Sequence, residues 1–107
     1  MYSDEKNVQI VLSLFKKIGI RKVIISPGSS NAPFSRSVQN DVFFETYSAV
    51  DERSAAYMAC GLASSSREPV VLSCTGATAS RNYAPALTEA YYRKLPVIAV
   101  MSMNDAA

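Results

Sequence analysis

The chain has 107 residues, 49% of them hydrophobic, so it is long enough for one domain with its own core and too short for two. Its net charge is +2 with scattered lysines and arginines, which excludes the basic stripe of a nucleic-acid-binding surface. It contains no histidine, which excludes a serine or cysteine hydrolase site built on a histidine base within the chain and removes the commonest metal ligand.

The cysteines and the N-terminal segment indicate a cytoplasmic protein. Cys60 and Cys74 are far apart, form no CxxC motif and fall in a predicted helix and strand, so we expect two buried free thiols. Residues 1–7 are polar and acidic, unlike a signal peptide, and the longest apolar runs are much shorter than the ~20 residues of a membrane span. We therefore expect a soluble, cytoplasmic protein with no nucleic-acid or membrane partner.

The N-terminal part of the chain predicts a helix followed by a strand. Ser3 and Asp4 are candidate caps for the helix, whose apolar residues recur every three or four positions until Gly19 ends it. The residues that follow, 21–26, include three consecutive β-branched apolar side chains. Such a run is typical of a strand buried on both faces of a parallel sheet.

A second helix and a second strand are predicted next. Pro33 suits the first position of a short helix at residues 33–38, with Asn31 or Ala32 as its cap. Residues 42–47 mix apolar and polar side chains, which predicts a strand close to an edge of the sheet.

Residues 49–63 predict a strand end, a short turn and the start of a third helix, which continues to about residue 66. Glu52 lies in the first turn of this helix. Alanines follow on one helical face, namely Ala55, Ala56, Ala59 and Ala63. Such a face lets a helix approach a neighbour or a flat ligand closely. The carboxylate also has a simpler interpretation, because Asp51 and Glu52 can form a capping pair stabilised by the helix dipole.

The C-terminal part predicts strands at residues 70–74 and 97–101, separated by a helix at 79–93. The face of this helix that packs on the core is expected to carry Ala86, Leu87, Ala90 and Tyr91. Helices thus alternate with apolar strands, which predicts an α/β fold: a three-layer, open, mostly parallel sheet with helices on both faces. Because the last strand would leave an unpaired edge, we expect either a fragment or an edge covered by another chain.

Three loops follow strands and therefore meet at one edge of the predicted sheet, at residues 26–31, 47–52 and 75–78. None contains the GxGxxG dinucleotide fingerprint or the GxxxxGK[ST] phosphate loop. The first offers a close backbone approach at Gly28 and hydroxyls before a helix, which can hold a carboxylate, although an ordinary turn explains it equally well. Asn82 lies near the same rim, where a solvated or locally bonded side chain is the simpler interpretation.

Four groups of residues stand in register along the chain. They are Ile25-Ser26-Pro27-Gly28-Ser29; Asp51-Glu52-Arg53-Ser54-Ala55-Ala56; Gly61-Leu62-Ala63; and Thr75, Thr78, Ala79, Asn82, Pro85, Ala86, Glu89 and Ala90. Together they resemble the N-terminal, pyrimidine-binding domain of thiamine diphosphate enzymes. Within that superfamily the pattern is most similar to the succinyl-enolpyruvyl-hydroxycyclohexene-carboxylate synthases of menaquinone biosynthesis and next to the acetohydroxyacid synthases.

The resemblance implies a catalytic role for Glu52. In this superfamily the matching glutamate hydrogen-bonds the pyrimidine ring nitrogen of the cofactor and so promotes loss of the proton from the thiazolium carbon. By the same comparison Pro27, Gly28, Thr75 and Asn82 border the thiamine diphosphate pocket or its partner interface.

The resemblance also implies a small 2-oxo acid as substrate, which loses carbon dioxide before its acyl group is transferred. Ser29 and Ser30 are the candidate substrate-binding residues. Ser30 stands where the menaquinone branch typically has an arginine, so the comparison leaves the 2-oxo acid unassigned. The turn Thr75-Gly76-Ala77-Thr78 likewise differs from the Thr-Ser-Gly-Thr of that branch.

In the superfamily a separate domain with a Gly-Asp-Gly…Asn pattern binds Mg²⁺ and the diphosphate, and no residues here match it. We expect residues 1–107 to be a pyrimidine-binding domain, a fragment of a longer chain and inactive alone, with no metal ligand of its own. Its expected partner is the diphosphate-binding domain of a second subunit in a homo-oligomer. Two alternatives stay open: a complete small subunit of a split decarboxylase, and a non-catalytic ligand-binding or assembly module.

Overall fold

Helices and strands alternate through residues 4–76 and 78–103, which are the residues described by a computed structural model of the chain. The elements are α1 (Lys6–Ile18), β1 (Lys22–Ile25), α2 (Ala32–Gln39), β2 (Glu45–Ser48), α3 (Glu52–Ser66), β3 (Val70–Thr75), α4 (Thr78–Arg81), α5 (Ala84–Arg93) and β4 (Val97–Ser102). A single 3-10 turn, Ser29–Asn31, separates β1 from α2.

The strands form one parallel sheet in the order β2-β1-β3-β4. Every residue of β1 is buried, because this strand has a neighbour on each side and helices on both faces. Its last residue, Ile25, pairs with Ser48 of β2 and with Ser73 of β3. The predicted buried strand and the predicted edge strand are therefore confirmed, and the carboxyl ends of all four strands lie at one edge.

Two apolar layers lie on opposite faces of the sheet. Ile24 contributes to a cluster with residues of α3 and α5, whereas Val23 and Ile25 contribute to a cluster with residues of α1 and α2. This division follows from the alternation of side chains along a strand. The predicted three-layer α/β arrangement is thereby confirmed.

The first helix ends as predicted but begins later. Gly19 has φ 89°, in the left-handed region that favours glycine, and its N–H donates to the carbonyl of Phe15. The N-cap position is held by Glu5, whose side chain makes no capping hydrogen bond. The prediction of Asp4 as cap is therefore wrong, and Ser3 lies outside the described residues.

The second strand is shorter than predicted at its start. Asp41 organises a turn there, because its Oδ1 accepts a hydrogen bond from the N–H of Phe43 at 3.0 Å and its carbonyl accepts one from Phe44 at 3.1 Å. Val42 is fully exposed on this turn. An aspartate that bonds the backbone two residues on favours a turn over a strand, so β2 begins at Glu45.

The predicted helix at residues 79–93 is divided into α4 and α5. Pro85 lies in the first turn of α5, where its missing N–H is tolerated, and the helix is interrupted just before this turn. Ala86 and Ala90 are buried as predicted, and Leu87 packs against the same core. Tyr91 is 77% exposed, so its assignment to the buried face is wrong.

Candidate functional site

The N-terminus of α3 is capped by Asp51. Its Oδ2 accepts a hydrogen bond from the N–H of Ser54 at 2.9 Å and another from the Ser54 hydroxyl at 2.7 Å. The hydroxyl and the backbone donor of Ser54 together lower the pKa of Asp51. The capping function that the sequence allowed for both acidic residues is thus performed by Asp51 through its own side chain.

Glu52, the next residue, does not cap the helix. Its side chain is half-buried, and within residues 4–76 and 78–103 it makes no hydrogen bond or ion pair. It occupies the first turn of α3, where the partial positive charge of the helix end favours a carboxylate. A partly desolvated carboxylate with free acceptor oxygens is therefore present at the carboxyl edge of the sheet.

Two weak acids lie in the core near Glu52. The pKa of Tyr83 and the pKa of Cys74 are both raised, chiefly by burial and additionally by the negative charge of Glu52. Tyr83 is completely buried beside Ser26 and Cys74, yet its hydroxyl has no hydrogen-bond partner with acceptable geometry among the described residues. Both side chains therefore stay neutral near neutral pH.

The three loops predicted to converge do meet. The Ser26 hydroxyl donates to the carbonyl of Ala49 at 2.7 Å, and the N–H of Ala49 donates to the carbonyl of Ile25 at 3.0 Å. A Cβ atom built on Gly28 would lie 2.1 Å from Cγ2 of Thr75. The first loop thus contacts both others, although Ala77 in the third loop lies outside the described residues.

The alanine face of α3 does not belong to this site. Its residues are 0–2% exposed and pack in the cluster that contains Ile24, Leu72 and α5; they are Ala55, Ala56, Ala59 and Ala63. The neighbour that the face approaches closely is therefore the sheet and α5. Of the two partners predicted for this face, the flat ligand is therefore wrong, because the alanines are covered by the chain itself.

The remaining predicted site residues differ in exposure and bonding. Pro27 and Ser29 are exposed on the first loop, and the Ser30 hydroxyl donates to the carbonyl of Ser102 at 3.2 Å. Asn82 is half-buried between α4 and α5, where its Nδ2 donates to the carbonyl of Thr78 at 3.2 Å. Its amide thus bonds within its own turn, in keeping with the simpler of the two interpretations.

Asn31 is a functional candidate whose side chain the sequence analysis assigned differently. It occupies the N-cap position of α2, one of the two residues predicted for that position, but its side chain makes no capping hydrogen bond. Its buried amide instead bonds Ser26, Ser73 and Ser102. These partners are up to 71 residues away in the chain, and no local pattern reveals such pairs.

A cavity of about 610 Å³ lies beside the first loop, on the α1 and α2 side of the sheet. Ser30 and Ser102 line it, together with apolar side chains that include Val11, Phe34 and Val100. Glu52 and Thr75 do not contribute to its lining. The cavity and the Glu52 carboxylate are therefore separate features of the same sheet edge.

The part of the chain that the structure describes contains neither a metal-binding cluster nor a membrane-spanning helix. Among the described residues, no group of three or more His, Cys, Asp or Glu side chains is arranged to hold a metal ion. In the same part of the chain, no helix combines the length and the apolar character needed to cross a bilayer. Cys60 and Cys74 are free and buried, as predicted.

The sequence has many relatives of known name. It is 52% identical over 105 residues to a 2-succinyl-5-enolpyruvyl-6-hydroxy-3-cyclohexene-1-carboxylate synthase of Porphyromonas gingivalis, covering 98% of this chain and 18% of the relative. It is 41% identical over 107 residues to the synthase of that name in Bacteroides thetaiotaomicron, covering 100% and 19%. The chain thus spans about a fifth of the length of the curated relatives it matches.

The fold and a family model lead to the same group of proteins. The structure superposes on benzoylformate decarboxylase from Polynucleobacter necessarius with a TM-score of 0.78 and 27% identity, covering 95% of this chain and 18% of that one. Residues 6–107 match the model of the N-terminal, thiamine-pyrophosphate-binding domain of thiamine pyrophosphate enzymes. The chain belongs to the family of N-terminal domains of thiamine pyrophosphate-dependent enzymes.

Proposed function

We propose that this domain holds the aminopyrimidine half of thiamine diphosphate and that Glu52 is its catalytic carboxylate. The observation that carries the proposal is the state of Glu52, which is half-buried, uncommitted to any hydrogen bond in the described part of the chain, and adjacent to a residue that already caps the helix. A structural carboxylate at a helix start would be expected to make the capping bonds itself.

Two loops approach each other closely at the sheet edge beside the proposed ring site. Gly28 has no Cβ, and the space that a Cβ would need is taken by Thr75, so the two loops form a close-packed wall. We assign Pro27, Gly28 and Thr75 to contacts with the cofactor. Asn82 is the weakest member of this set, since its amide bonds locally.

Glu52 would accept or share a proton at a ring nitrogen of the pyrimidine. A carboxyl group in a partly dry site can keep such a proton shared instead of losing it to water. When bound, thiamine diphosphate supplies the electron sink for decarboxylating a 2-oxo acid and carries the acyl group to an acceptor. The protein's contribution is to orient the ring and to tune its proton affinity.

The names of the relatives indicate the substrate class. Their product carries a succinyl group, a four-carbon acyl chain ending in a carboxylate, and the 2-oxo acid that yields it by losing carbon dioxide is 2-oxoglutarate. Removing that acyl group and one hydrogen from the named cyclohexene leaves an enolpyruvyl-hydroxycyclohexadiene carboxylate as acceptor. We propose these two substrates for the full-length protein, at 52% identity to one such synthase.

Ser29 and Ser30 are the proposed substrate contacts in this domain. Ser30 brings no positive charge, and its hydroxyl already donates to the carbonyl of Ser102. We therefore assign recognition of the substrate carboxylates to other parts of the full-length protein. Because Ser30 replaces the arginine typical of the menaquinone branch, a different 2-oxo acid is the second candidate for the substrate.

The rest of the holoenzyme is proposed to supply the Mg²⁺ and diphosphate site. We propose a cytoplasmic homo-oligomer in which the diphosphate-binding domain of a second subunit faces this domain, so that residues 1–107 alone are inactive. The residues of this chain that the structure describes offer no metal cluster of their own, and the chain spans about a fifth of its relatives. In the split-enzyme alternative, a separate chain supplies the residues that bind Mg²⁺ and the diphosphate.

The test is Glu52→Gln in the full-length protein, with Glu89→Gln as control. Glu89 lies on α5 and pairs with Arg93 at 3.5 Å, away from the sheet edge. We expect Glu52→Gln to slow deuterium exchange at the reactive carbon of bound thiamine diphosphate by about 10²-fold or more, and Glu89→Gln to leave it unchanged. Unchanged exchange in Glu52→Gln would refute the catalytic role, and a wild-type protein that binds the cofactor without turnover would favour the non-catalytic alternative.

A further inference from the structure

The side chain of Asn31 joins three neighbouring strands at the edge that carries the candidate site. Its Oδ1 accepts hydrogen bonds from the hydroxyls of Ser73, at 2.6 Å, and Ser102, at 3.1 Å. Its Nδ2 donates to the carbonyl of Ser26 at 3.2 Å. Because hydroxyls donate on one side and a carbonyl accepts on the other, the partners fix the orientation of the amide. The side chain is completely buried.

These bonds enclose the loop that carries the proposed substrate contacts. Ser26 and Asn31 are the two ends of the loop, so the amide closes the loop at its base. The N–H of Asn31 also donates to the carbonyl of Gly28 at 3.2 Å, which fixes the path of the chain between them. The loop therefore has one position relative to its own strand.

The same amide fixes the loop against β3 and β4. Ser73 lies within β3, two residues before Thr75, whose methyl group occupies the space beside Gly28. Ser102 ends β4, and its carbonyl accepts hydrogen bonds from the Ser30 hydroxyl and from the N–H of Gly76 at 2.7 Å. One side chain thus sets the relative positions of the first loop, the third loop and the end of β4.

Glu52 is positioned by a different set of contacts. Asp51 caps its helix, and the Ser26 hydroxyl together with the Ile25 carbonyl holds Ala49. Asn31 touches the carbonyl of Ser26 and not its hydroxyl. Loss of the amide would therefore displace the first loop more than it displaces the catalytic carboxylate.

We propose that Asn31 is a positioning residue for the 2-oxo acid: it holds the Gly28–Ser30 loop in register with the ends of β3 and β4 without touching substrate or cofactor. The proposal rests on the proposed function. Substrate affinity then depends on the loop, whereas cofactor activation depends on Glu52. Substitutions at the Asn31 amide should therefore lower substrate affinity and leave cofactor activation unchanged.

The test uses Asn31→Asp and Ser73→Ala in the full-length holoenzyme. Asn31→Asp keeps the acceptor for both hydroxyls and loses the donor to Ser26, whereas Ser73→Ala removes one hydroxyl from the opposite side. Asn40→Asp is the matched control, because that amide also donates to a backbone carbonyl, of Arg36 at 2.7 Å, but at the far end of α2.

We expect both variants to raise the KM for 2-oxoglutarate about tenfold, a shift of the size that one lost interaction produces, with kcat within about twofold of wild type. The rate of deuterium exchange at the reactive carbon of bound thiamine diphosphate, which depends on Glu52, should also stay within about twofold of wild type. Asn40→Asp should change none of these quantities.

Two outcomes overturn the proposal. One is an unchanged KM in a folded Asn31→Asp or Ser73→Ala enzyme. The other is a parallel loss of kcat, substrate affinity and deuterium exchange at the bound cofactor, which a purely structural residue would cause. If Asn31→Asp does not fold, Ser73→Ala decides alone. Full activity of Glu52→Gln would instead refute the proposed function, so the two failures are distinguishable.

Discussion

Gly28 and Thr75 lie so close that a Cβ on the first would be 2.1 Å from Cγ2 of the second. Gly28 has an extended backbone, with φ 178°, so the requirement for glycine there is one of space and not of conformation. Two loops that are 47 positions apart in the chain thereby share one contact surface. This contact defines the wall of the candidate cofactor site.

Gly28→Ala should destabilise the chain by about 1–3 kcal/mol, because the added methyl group forces one of the two loops to move. The measurement is urea unfolding followed by circular dichroism. Adding Thr75→Ser removes Cγ2, and the next closest atom to the new methyl is then 3.3 Å away, so the double variant should recover much of the loss.

Gly61→Ala is the matched control for that substitution. A Cβ at Gly61, inside α3, meets nothing within 4 Å, and the position is exposed. Alanine should therefore stabilise the helix by about 0.5–1 kcal/mol. If both alanine variants behave alike, the close approach of the two loops is not what Gly28 provides.

Asp51 should make stability depend on pH at the acidic end. Its pKa is lowered in the folded state by Ser54, so its contribution is complete above the unfolded pKa of about 3.9 and is lost as pH falls through the lower folded pKa. Asp51→Ala should remove this contribution at neutral pH. Asp51→Asn, an equally good cap, should retain most of the stability while abolishing its acid dependence.

The stability of wild type and of the two variants is measured as the midpoint of urea unfolding at pH 7 and at pH 2.5. Wild type should lose more stability than Asp51→Asn between these two values. Equal losses would mean that the Ser54 bonds do not distinguish the charged aspartate from a neutral acceptor.

Tyr83→Phe should leave stability unchanged or raise it by up to about 1 kcal/mol, because a buried hydroxyl without a partner costs free energy that its removal recovers. Tyr83→Ala, which also removes the ring, should cost about 3–5 kcal/mol. Urea unfolding measures both. A clear loss in Tyr83→Phe would show that the hydroxyl has a hydrogen-bond partner in the protein, for which Cys74 and Ser26 are the candidates in the core.

The two thiols should be unreactive in the folded protein. Burial raises the pKa of Cys60 and of Cys74, which disfavours the thiolate that reacts, and both side chains are enclosed in the core. Iodoacetamide labelling of the full-length protein, followed by peptide mass spectrometry, should modify neither residue at pH 8. Both should be modified in 8 M urea, and labelling of Cys74 under native conditions would contradict its complete burial.

Periodicity and buried runs were sufficient to predict the parallel sheet, because these signals are local. The run Val23-Ile24-Ile25 requires cover on both faces wherever it lies, and the structure provides it. The same reasoning was wrong at Val42, where an aspartate one residue earlier bonds the backbone and competes with strand pairing. It was wrong again at Pro85, which interrupts an otherwise regular helical pattern.

The candidate site was predictable only in part. Glu52 and the three loops follow from topology, since the ends of parallel strands must share an edge. The function of Asn31 depends on hydroxyls 42 and 71 residues further along the chain, and that information is carried by the fold and not by any segment of sequence. No sequence pattern distinguishes Tyr83 from other core aromatic residues, because a buried hydroxyl without a partner can be recognised only in the folded structure.

The packing of the α3 alanines in the core determines where Glu52 lies at the sheet edge. This face of the helix contributes alanine side chains to the layer that separates it from the sheet, and the thickness of that layer sets how far Glu52 lies above the strands. A larger side chain at Ala59 would lift the helix and carry the carboxylate outward, although nothing at the edge itself had changed. A substitution at the fully buried Ala59 can therefore change the position of the Glu52 carboxylate without altering any residue at the sheet edge.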